Sequence, residues 1–414
     1  MQQLNKTIGV FTGIGIAVGM VVGSGLFGLP GLAIDLAGST LSLYAWLATM
    51  LISIPMLHIF IKLGMRFPKA AGLSKYAEIA FGSWGGYGVT AVLSGTFTIG
   101  IPALAIIGGA YLTKLLSLGE YYTYIFAVLF LFISTFLNAF GVRAASWINT
   151  VSLSFIFLLI FLLLWLHPEY FVAGKEILFT HNFTFDIEKL WSVMALLFWA
   201  FLGWENLSFG LEEFKNPNKN IPLVYWGSFF IISLFYFMLA MLSSGATALG
   251  VVVSGTSAVS SLVGNNGFAG NLLVFFIVIV ILANANSWVF GASRLIYSAG
   301  EQGILPTYLG RLNSKKIPVN SLISLFVFYL FFIALIWIYQ IHISKIIMIV
   351  SQNFLVLYLA SIIAYAKLFR KITDYIVLMM SGIVLAFFFQ GFGFALVYPI
   401  VLLAIGYMVF QKHK

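Results

Sequence analysis

The chain has 414 residues, of which 62% are hydrophobic and 8% charged, with a formal net charge of +9 and a mean hydropathy of +1.06. A water-soluble globule of this length cannot hide so much apolar surface, so hydrocarbon is the solvent for most of the chain. Stretches such as VSLSFIFLLIFLLLWL (Val151–Leu166) do not alternate polar with apolar residues, which excludes a lipid-embedded barrel and leaves an all-α polytopic membrane protein.

The absence of cysteine excludes disulfides and thiolate metal sites. His58, His167, His181, His342 and His413 are scattered without metal-ligand spacing, so no metal or other cofactor is expected. The cations fall in short loops between apolar stretches, which fits the positive-inside rule and not nucleic-acid binding. No nucleophile lies beside a base and no acids cluster, so an enzyme is not expected.

At about 20 apolar residues per crossing, the pattern predicts twelve spans, roughly at 12–36, 42–64, 86–115, 122–140, 146–166, 190–211, 223–250, 268–299, 319–340, 344–368, 374–391 and 393–411. With the N-terminus inside, all but four of the 21 Lys and Arg residues face the cytoplasm. The exceptions are Lys114, Lys175, Lys189 and Lys345. Both termini are therefore expected to be cytoplasmic. The whole of 1–414 is read as one transmembrane domain.

The first span contains VVGSGLFGLP (Val21–Pro30). Glycine inside a helix costs about 1 kcal/mol relative to alanine, and proline about 3. Such a cluster marks either close helix packing, since Gly15, Gly19 and Gly23 are four apart, or backbone that leaves the helix. In the second case Gly23, Ser24 and Gly25 would present N–H groups to an anion such as a carboxylate. Arg66–Gly82 has helical spacing and is expected near the membrane surface. His167–Leu190 reads as a long external loop, and Gly255–Gly270 as an external segment that either caps a vestibule or merely connects.

The sixth span, LLFWAFLGWENLSFG (Leu196–Gly210), carries Gly203, Gly210 and the one acid placed in mid-span, Glu205. An ionised acid there costs about 2.5 kcal/mol or more. The first and sixth spans are both interrupted, and paired interruptions point to a transporter built from inverted repeats.

Four stretches, in order over about 300 residues, resemble the amino acid–polyamine–organocation (APC) permeases of LeuT-type fold: GMVVGSGLFGLPG (Gly19–Gly31), NAFGVRAASWIN (Asn138–Asn149), FWAFLGWENLSFGLEEFKNPNKNIP (Phe198–Pro222) and SRLIYSAGEQGILPTYLGRLNSKKIPV (Ser293–Val319). The short form looks most like bacterial exporters of neutral amino acids, which implies a bacterial inner membrane. The resemblance implies a 5+5 inverted repeat (about 12–166 and 190–368) with broken helices 1 and 6, and two further helices at about 374–411.

It also implies roles. Gly23, Ser24 and Gly25 would bind a substrate carboxylate. The backbone at Ala200, Phe201, Leu202 and Gly203 would take the ammonium, with Trp199 and Phe201 shaping the side-chain pocket. Glu205 would couple gating to protonation. Thr98 and Ile101, with Pro102, would face the site from span three. Asn286 and Ser287 would lie where sodium-coupled relatives hold their ion. Arg294 and Lys215–Lys219 would support a cytoplasmic gate, and Ser351, Gln352 and Asn353 are polar in span ten. Proton-coupled relatives with a lysine in helix five have no counterpart near Ser154–Ile156. The coupling ion is therefore H+ or Na+, or transport runs by exchange.

The resulting expectation is a secondary transporter of hydrophobic neutral amino acids of the Leu, Met or branched-chain type, acting as monomer or homodimer in the lipid bilayer. The alternatives are a cationic amino acid or polyamine carrier, and a channel or non-transporting sensor.

Overall fold

The computed structural model describes residues 6, 8–68, 72–140, 142–179, 186–209, 211, 214–263, 267–301, 303–315, 317–392 and 396–413. It is all-helical over these residues. Eight helical segments are long and apolar enough to cross a membrane, and α6 (Val142–Leu166) with α7 (Pro168–Phe179) forms a further pair bent by 88°.

The first two expected spans correspond to α1 (Val10–Val21) and α2 (Ser24–Arg66). The chain leaves the helix at Val22, which is extended, and at Gly23. It is interrupted again at Gly38, whose φ of +76° is left-handed, a conformation a side chain resists. Gly38 therefore separates the first expected crossing from the second within α2. The next helix, α3 (Gly72–Phe81), is the expected amphipathic segment. It buries Leu73, Tyr76, Ala77 and Ala80 and pairs Lys75 with Glu78 on its outer face.

Then come α4 (Ser83–Leu115) and α5 (Tyr122–Phe140), ahead of the bent α6–α7 pair. The expected external loop thus contains a helix, because Gly174 of α7 lies directly against α10 (Pro217–Ala248). A Cβ on Gly174 would come within 2.3 Å of the Met241 carbonyl, and one on Gly245 within 1.8 Å of the Tyr170 carbonyl. Asp186 then caps α8 (Ile187–Leu197), accepting from the Glu188 and Lys189 N–H groups at 3.1 and 3.0 Å.

The second break is a short 3-10 stretch, Phe198–Phe201, followed by extended Leu202 and then α9 (Trp204–Phe209). Gly210 lies outside the described residues. Past α9, the Lys215 N–H donates to the Ile8 carbonyl at 2.9 Å, tying the segment before α1 to the segment after α9.

The remaining helices are α11 (Gly267–Glu301), α12 (Val319–Ile338), α13 (Ile343–Leu368), α14 (Ile372–Phe392) and α15 (Val397–Lys412). Between α10 and α11, Ala258–Val263 folds down onto α2. The Gly255 N–H reaches Asp35 at 2.7 Å, Lys114 reaches Ser261 at 3.0 Å, and a Cβ on Gly31 would meet Ala258 at 2.2 Å.

The α7–α10 contact gives a direct test. Gly245→Val is expected to lower stability by at least the ~1–3 kcal/mol typical of overpacking, because backbone lies where the side chain would go. Gly382→Ala, which meets nothing within 4 Å, is expected to leave the melting temperature in detergent unchanged.

Candidate functional site

The two breaks face each other. Inside hydrocarbon an unpaired peptide group is costly, so the carbonyls freed at the end of α1 need donors from elsewhere. Tyr236, on α10, supplies one to both breaks. Its single hydroxyl proton is shared between the Ala200 carbonyl at 2.8 Å and the Val21 carbonyl at 3.1 Å. Asn284, on α11, donates its amide to the Gly19 and Met20 carbonyls at 3.2 and 3.1 Å. The Trp199 indole donates to the Ser24 hydroxyl at 3.3 Å, which joins one break to the other through side chains.

Glycine allows this approach. A Cβ on Gly23 would fall 2.1–2.5 Å from Asn284, and one on Gly25 would be 3.1 Å from the Ala200 Cα. Gly203 has φ +123°, and a Cβ there would press on Val21 at 2.8 Å.

Beside the breaks lies a small, partly enclosed cavity. Ser24, Gly25, Trp199 and Leu202 line it from the breaks, and Ile101 from α4. The other walls come from Thr96, Phe97, Gly100 and Leu104 on α4, Asn284 and Trp288 on α11, and Val350 and Phe354 on α13, with Val21. The wall is mostly aromatic and aliphatic, and its polar groups lie at Ser24, Asn284, Thr96 and the Trp indoles. Pro102 on α4 has no N–H to donate to the Thr98 carbonyl one turn back.

Glu205 is fully buried at the start of α9, outside the cavity lining. One carboxylate oxygen accepts from the Gly203 N–H at 2.8 Å and the other from the Tyr358 hydroxyl of α13 at 2.7 Å. Among the described residues the ion pairs are Lys75–Glu78, His167–Glu169 and Lys189–Asp186, and none includes Glu205. The acid is therefore held by neutral donors.

Other expected residues lie elsewhere. Thr98 is off the lining stripe 96–97–100–101–104 and bonds to the Ser94 carbonyl of its own helix at 2.7 Å. Ala200 and Gly203 act through their backbone, and Phe201 packs against Phe229 and Tyr236. Asn286 accepts from the Asn138 amide at its side-chain oxygen (2.8 Å) and its carbonyl (3.1 Å), so it ties α11 to α5. Ser287 bonds to the Ala283 carbonyl at 3.1 Å. Arg294 lies over the Phe290 ring, 3.8 Å from its centroid, and donates to Ser293. Ser351 and Gln352 are buried, and Asn353 donates to Thr96 at 3.0 Å.

The sequence reading did not single out Tyr236 or Tyr358, and within the polar stretch Asn284–Trp288 it pointed to Asn286 and Ser287 in place of Asn284 and Trp288. For the last two a signal existed. Asn284 and Trp288 are four residues apart and share a helix face, whereas Asn286 points away from it.

The match to known families agrees with this geometry: the amino acid permease profile covers residues 8–411. The chain belongs to the amino acid permease family. It is similar to the uncharacterised amino acid permease YecA of Bacillus subtilis, with 25% identity over 100% of this chain and 97% of the relative. It is also similar to the L-methionine/branched-chain amino acid exporter YjeH of Escherichia coli, at 22% over 100% and 98%. The putrescine transporter PotE of Haemophilus influenzae matches at 24% over 78% of this chain and 75% of its own length. The APC resemblance read from the four motifs is thereby borne out, and the chain is a multi-pass membrane protein of a family whose members carry small molecules.

Two substitutions test the joint between the breaks. Tyr236→Phe is expected to cost about 1–3 kcal/mol, the penalty for leaving buried acceptors unpaired, read as a lower melting temperature. Gly23→Ala is expected to be more damaging, and Asn284→Ala in the same chain to recover part of the loss by clearing the space.

Proposed function

We propose that the chain is a secondary transporter of neutral, hydrophobic amino acids that works by alternating access. The observation that carries the reading is the pair of facing breaks beside a mostly apolar cavity. At one break, the N–H groups that open α2 at Ser24 and Gly25 are donors suited to a carboxylate, and the start of a long helix favours negative charge. At the other, the Ala200, Phe201 and Leu202 carbonyls are acceptors suited to an ammonium, as unwound carbonyls are in transporters of this kind. A carbonyl oxygen accepts more than one hydrogen, so the Tyr236 bond leaves Ala200 room for a second donor.

A zwitterion bridging the two breaks would place its side chain among Phe97, Ile101, Trp288, Val350 and Phe354. No charged side chain lines that compartment, which favours Leu, Met or branched-chain side chains. The name of YjeH points the same way. PotE favours a cationic substrate, but both Glu205 oxygens already accept hydrogen bonds and the acid lies off the cavity.

In the proposed architecture the chain is one transport domain of twelve crossings. Two inverted repeats, about 12–166 and 190–368, are followed by two further helices, with both termini cytoplasmic in an inner membrane. Glu205 links transport to protons. Sodium near Asn286 and Ser287 is the less favoured ion, because the Asn286 oxygens are engaged by Asn138.

The test is thermal stabilisation of the purified protein by amino acids and their decarboxylated amines, with and without sodium at two pH values. A ligand at about 100 times its Kd adds about 2.7 kcal/mol of apparent stability. Leucine or methionine is expected to raise the melting temperature and isoamylamine to leave it unchanged. A shift with amines alone would overturn the carboxylate site. Gly25→Leu is expected to abolish the leucine shift. In proteoliposomes, Glu205→Gln is expected to flatten the pH dependence of flux, and an unchanged profile would make Glu205 purely structural.

A further inference from the structure

A second cavity lies away from the breaks, where the α3–α4 corner meets α13 and α15. Its walls include Phe81, Trp84 and Val89 on one side, Val356 and Ala360 on α13, and Leu403 on α15. Apart from the Trp84 indole, no wall side chain carries a hydrogen-bonding group. Water there would find too few of the two to four partners it needs. Left empty, the lining would lose dispersion contacts on one side. The occupant that suits such a space is hydrocarbon.

The cavity also reaches the outside of the helix bundle. Phe81 is 37% exposed and Val356, Leu359 and Leu403 are half-buried, while Tyr407 and Met408 of α15 are exposed nearby in sequence. In a membrane protein that outer face meets lipid chains.

Cations stand at the end of the same helices. Lys367, at the end of α13, donates to the Ala80 carbonyl at 2.6 Å, next to Phe81. Arg370 and Lys371 follow it, exposed, and Lys412 is exposed at the end of α15. Lys412 lies nine residues beyond Leu403, about 13 Å along a helix. That is the reach from the upper part of an acyl chain to its headgroup region. The nearby acids are already engaged. Glu78 pairs with Lys75, and Asp374 accepts from the Tyr365 hydroxyl at 2.6 Å and the Lys371 N–H at 2.8 Å. Asp374 also faces the charges of Lys62 and Lys371, and Glu301 lies two residues before Gly303, which borders His413. Cations outnumber acids at this end.

We propose that this cavity is a phospholipid site, in which a segment of one acyl chain packs against Ala360 and Leu403 and an anionic headgroup pairs with Arg370, Lys371 and Lys412. The site is independent of the transport reading and of the central cavity. It selects by packing in the cavity and by charge at the rim, since burial from water is no driving force inside a bilayer.

The experiment is native mass spectrometry of the full chain, delipidated in detergent. The probes are dioleoyl phosphatidylglycerol, dioleoyl phosphatidylethanolamine, and glycerol phosphate as the headgroup without chains. The wild type is expected to retain one phosphatidylglycerol under activation that strips phosphatidylethanolamine. Ala360→Phe and Leu403→Phe, which fill the space, are expected to lose it. Arg370→Gln with Lys412→Gln is expected to erase the preference between the two lipids. If Ala360→Phe fails to fold, Leu403→Phe on the outer wall carries the same comparison. Phosphatidylglycerol is also expected to raise the wild-type melting temperature and not that of the filled variant. Equal retention by wild type and filled variants would overturn the proposal. So would displacement of the lipid by glycerol phosphate, which would mark a free-phosphate site, or a wild type that retains no lipid.

Discussion

A peptide group that leaves a helix inside hydrocarbon must find a partner without water, and the centre of this protein is arranged around that requirement. Two helices open, at Val22–Gly23 and at Phe198–Gly203. The partners for their freed groups come from other helices: Tyr236 of α10 serves Val21 and Ala200, Asn284 of α11 serves Gly19 and Met20, and Glu205 receives the Gly203 N–H. The framework helices are therefore part of the site's polar inventory. A relative shift of α10 or α11 changes which carbonyls at the breaks are free. The geometry that permits unwinding is in this way also a means of registering movement elsewhere in the bundle.

Glycine sets how closely the breaks approach. Gly25 brings α2 against Ala200, and Gly203 brings the second break against Val21. The two readings left open by the sequence, close packing or unwinding, turn out to be compatible. The same short segment unwinds at Gly23 and packs at Gly25. A side chain at either place would push apart the donors and acceptors that a zwitterion needs to span.

The helical class, the two breaks and the buried acid were legible because each violates an expectation for a membrane helix: glycine clusters, a proline, one carboxylate in mid-span. Residues that obey the ordinary rules were harder to see. Tyr236 and Tyr358 sit in apolar helices rich in tyrosine and phenylalanine, where an aromatic residue is unremarkable until its hydroxyl is placed. The resemblance points to Thr98 on span three, although helical phase puts Thr96 on the cavity and turns Thr98 back to Ser94. The resemblance points to Asn286 as lying where sodium-coupled relatives hold their ion, whereas helical phase puts Asn284 on the cavity. The helix in the external loop escaped notice because its support is a glycine contact with α10, a pairing far apart in sequence.

Glu205 shows how a single proton would be felt at a distance under the proposed linkage. Its two oxygens accept from Gly203, within the second break, and from Tyr358, on α13. An ionised carboxylate has acceptors only, which matches two donors facing it. A proton on the oxygen that faces Tyr358 would set two hydrogens against each other unless the phenol turned to accept instead. A proton on the other oxygen would oppose the Gly203 N–H, which cannot turn, because it is backbone. The phenol side is the adjustable one, and Phe354, one turn before Tyr358 on α13, lines the central cavity. Protonation would thus act on the junction between α9 and α13, one helical turn from the cavity wall, without any charge entering the cavity itself.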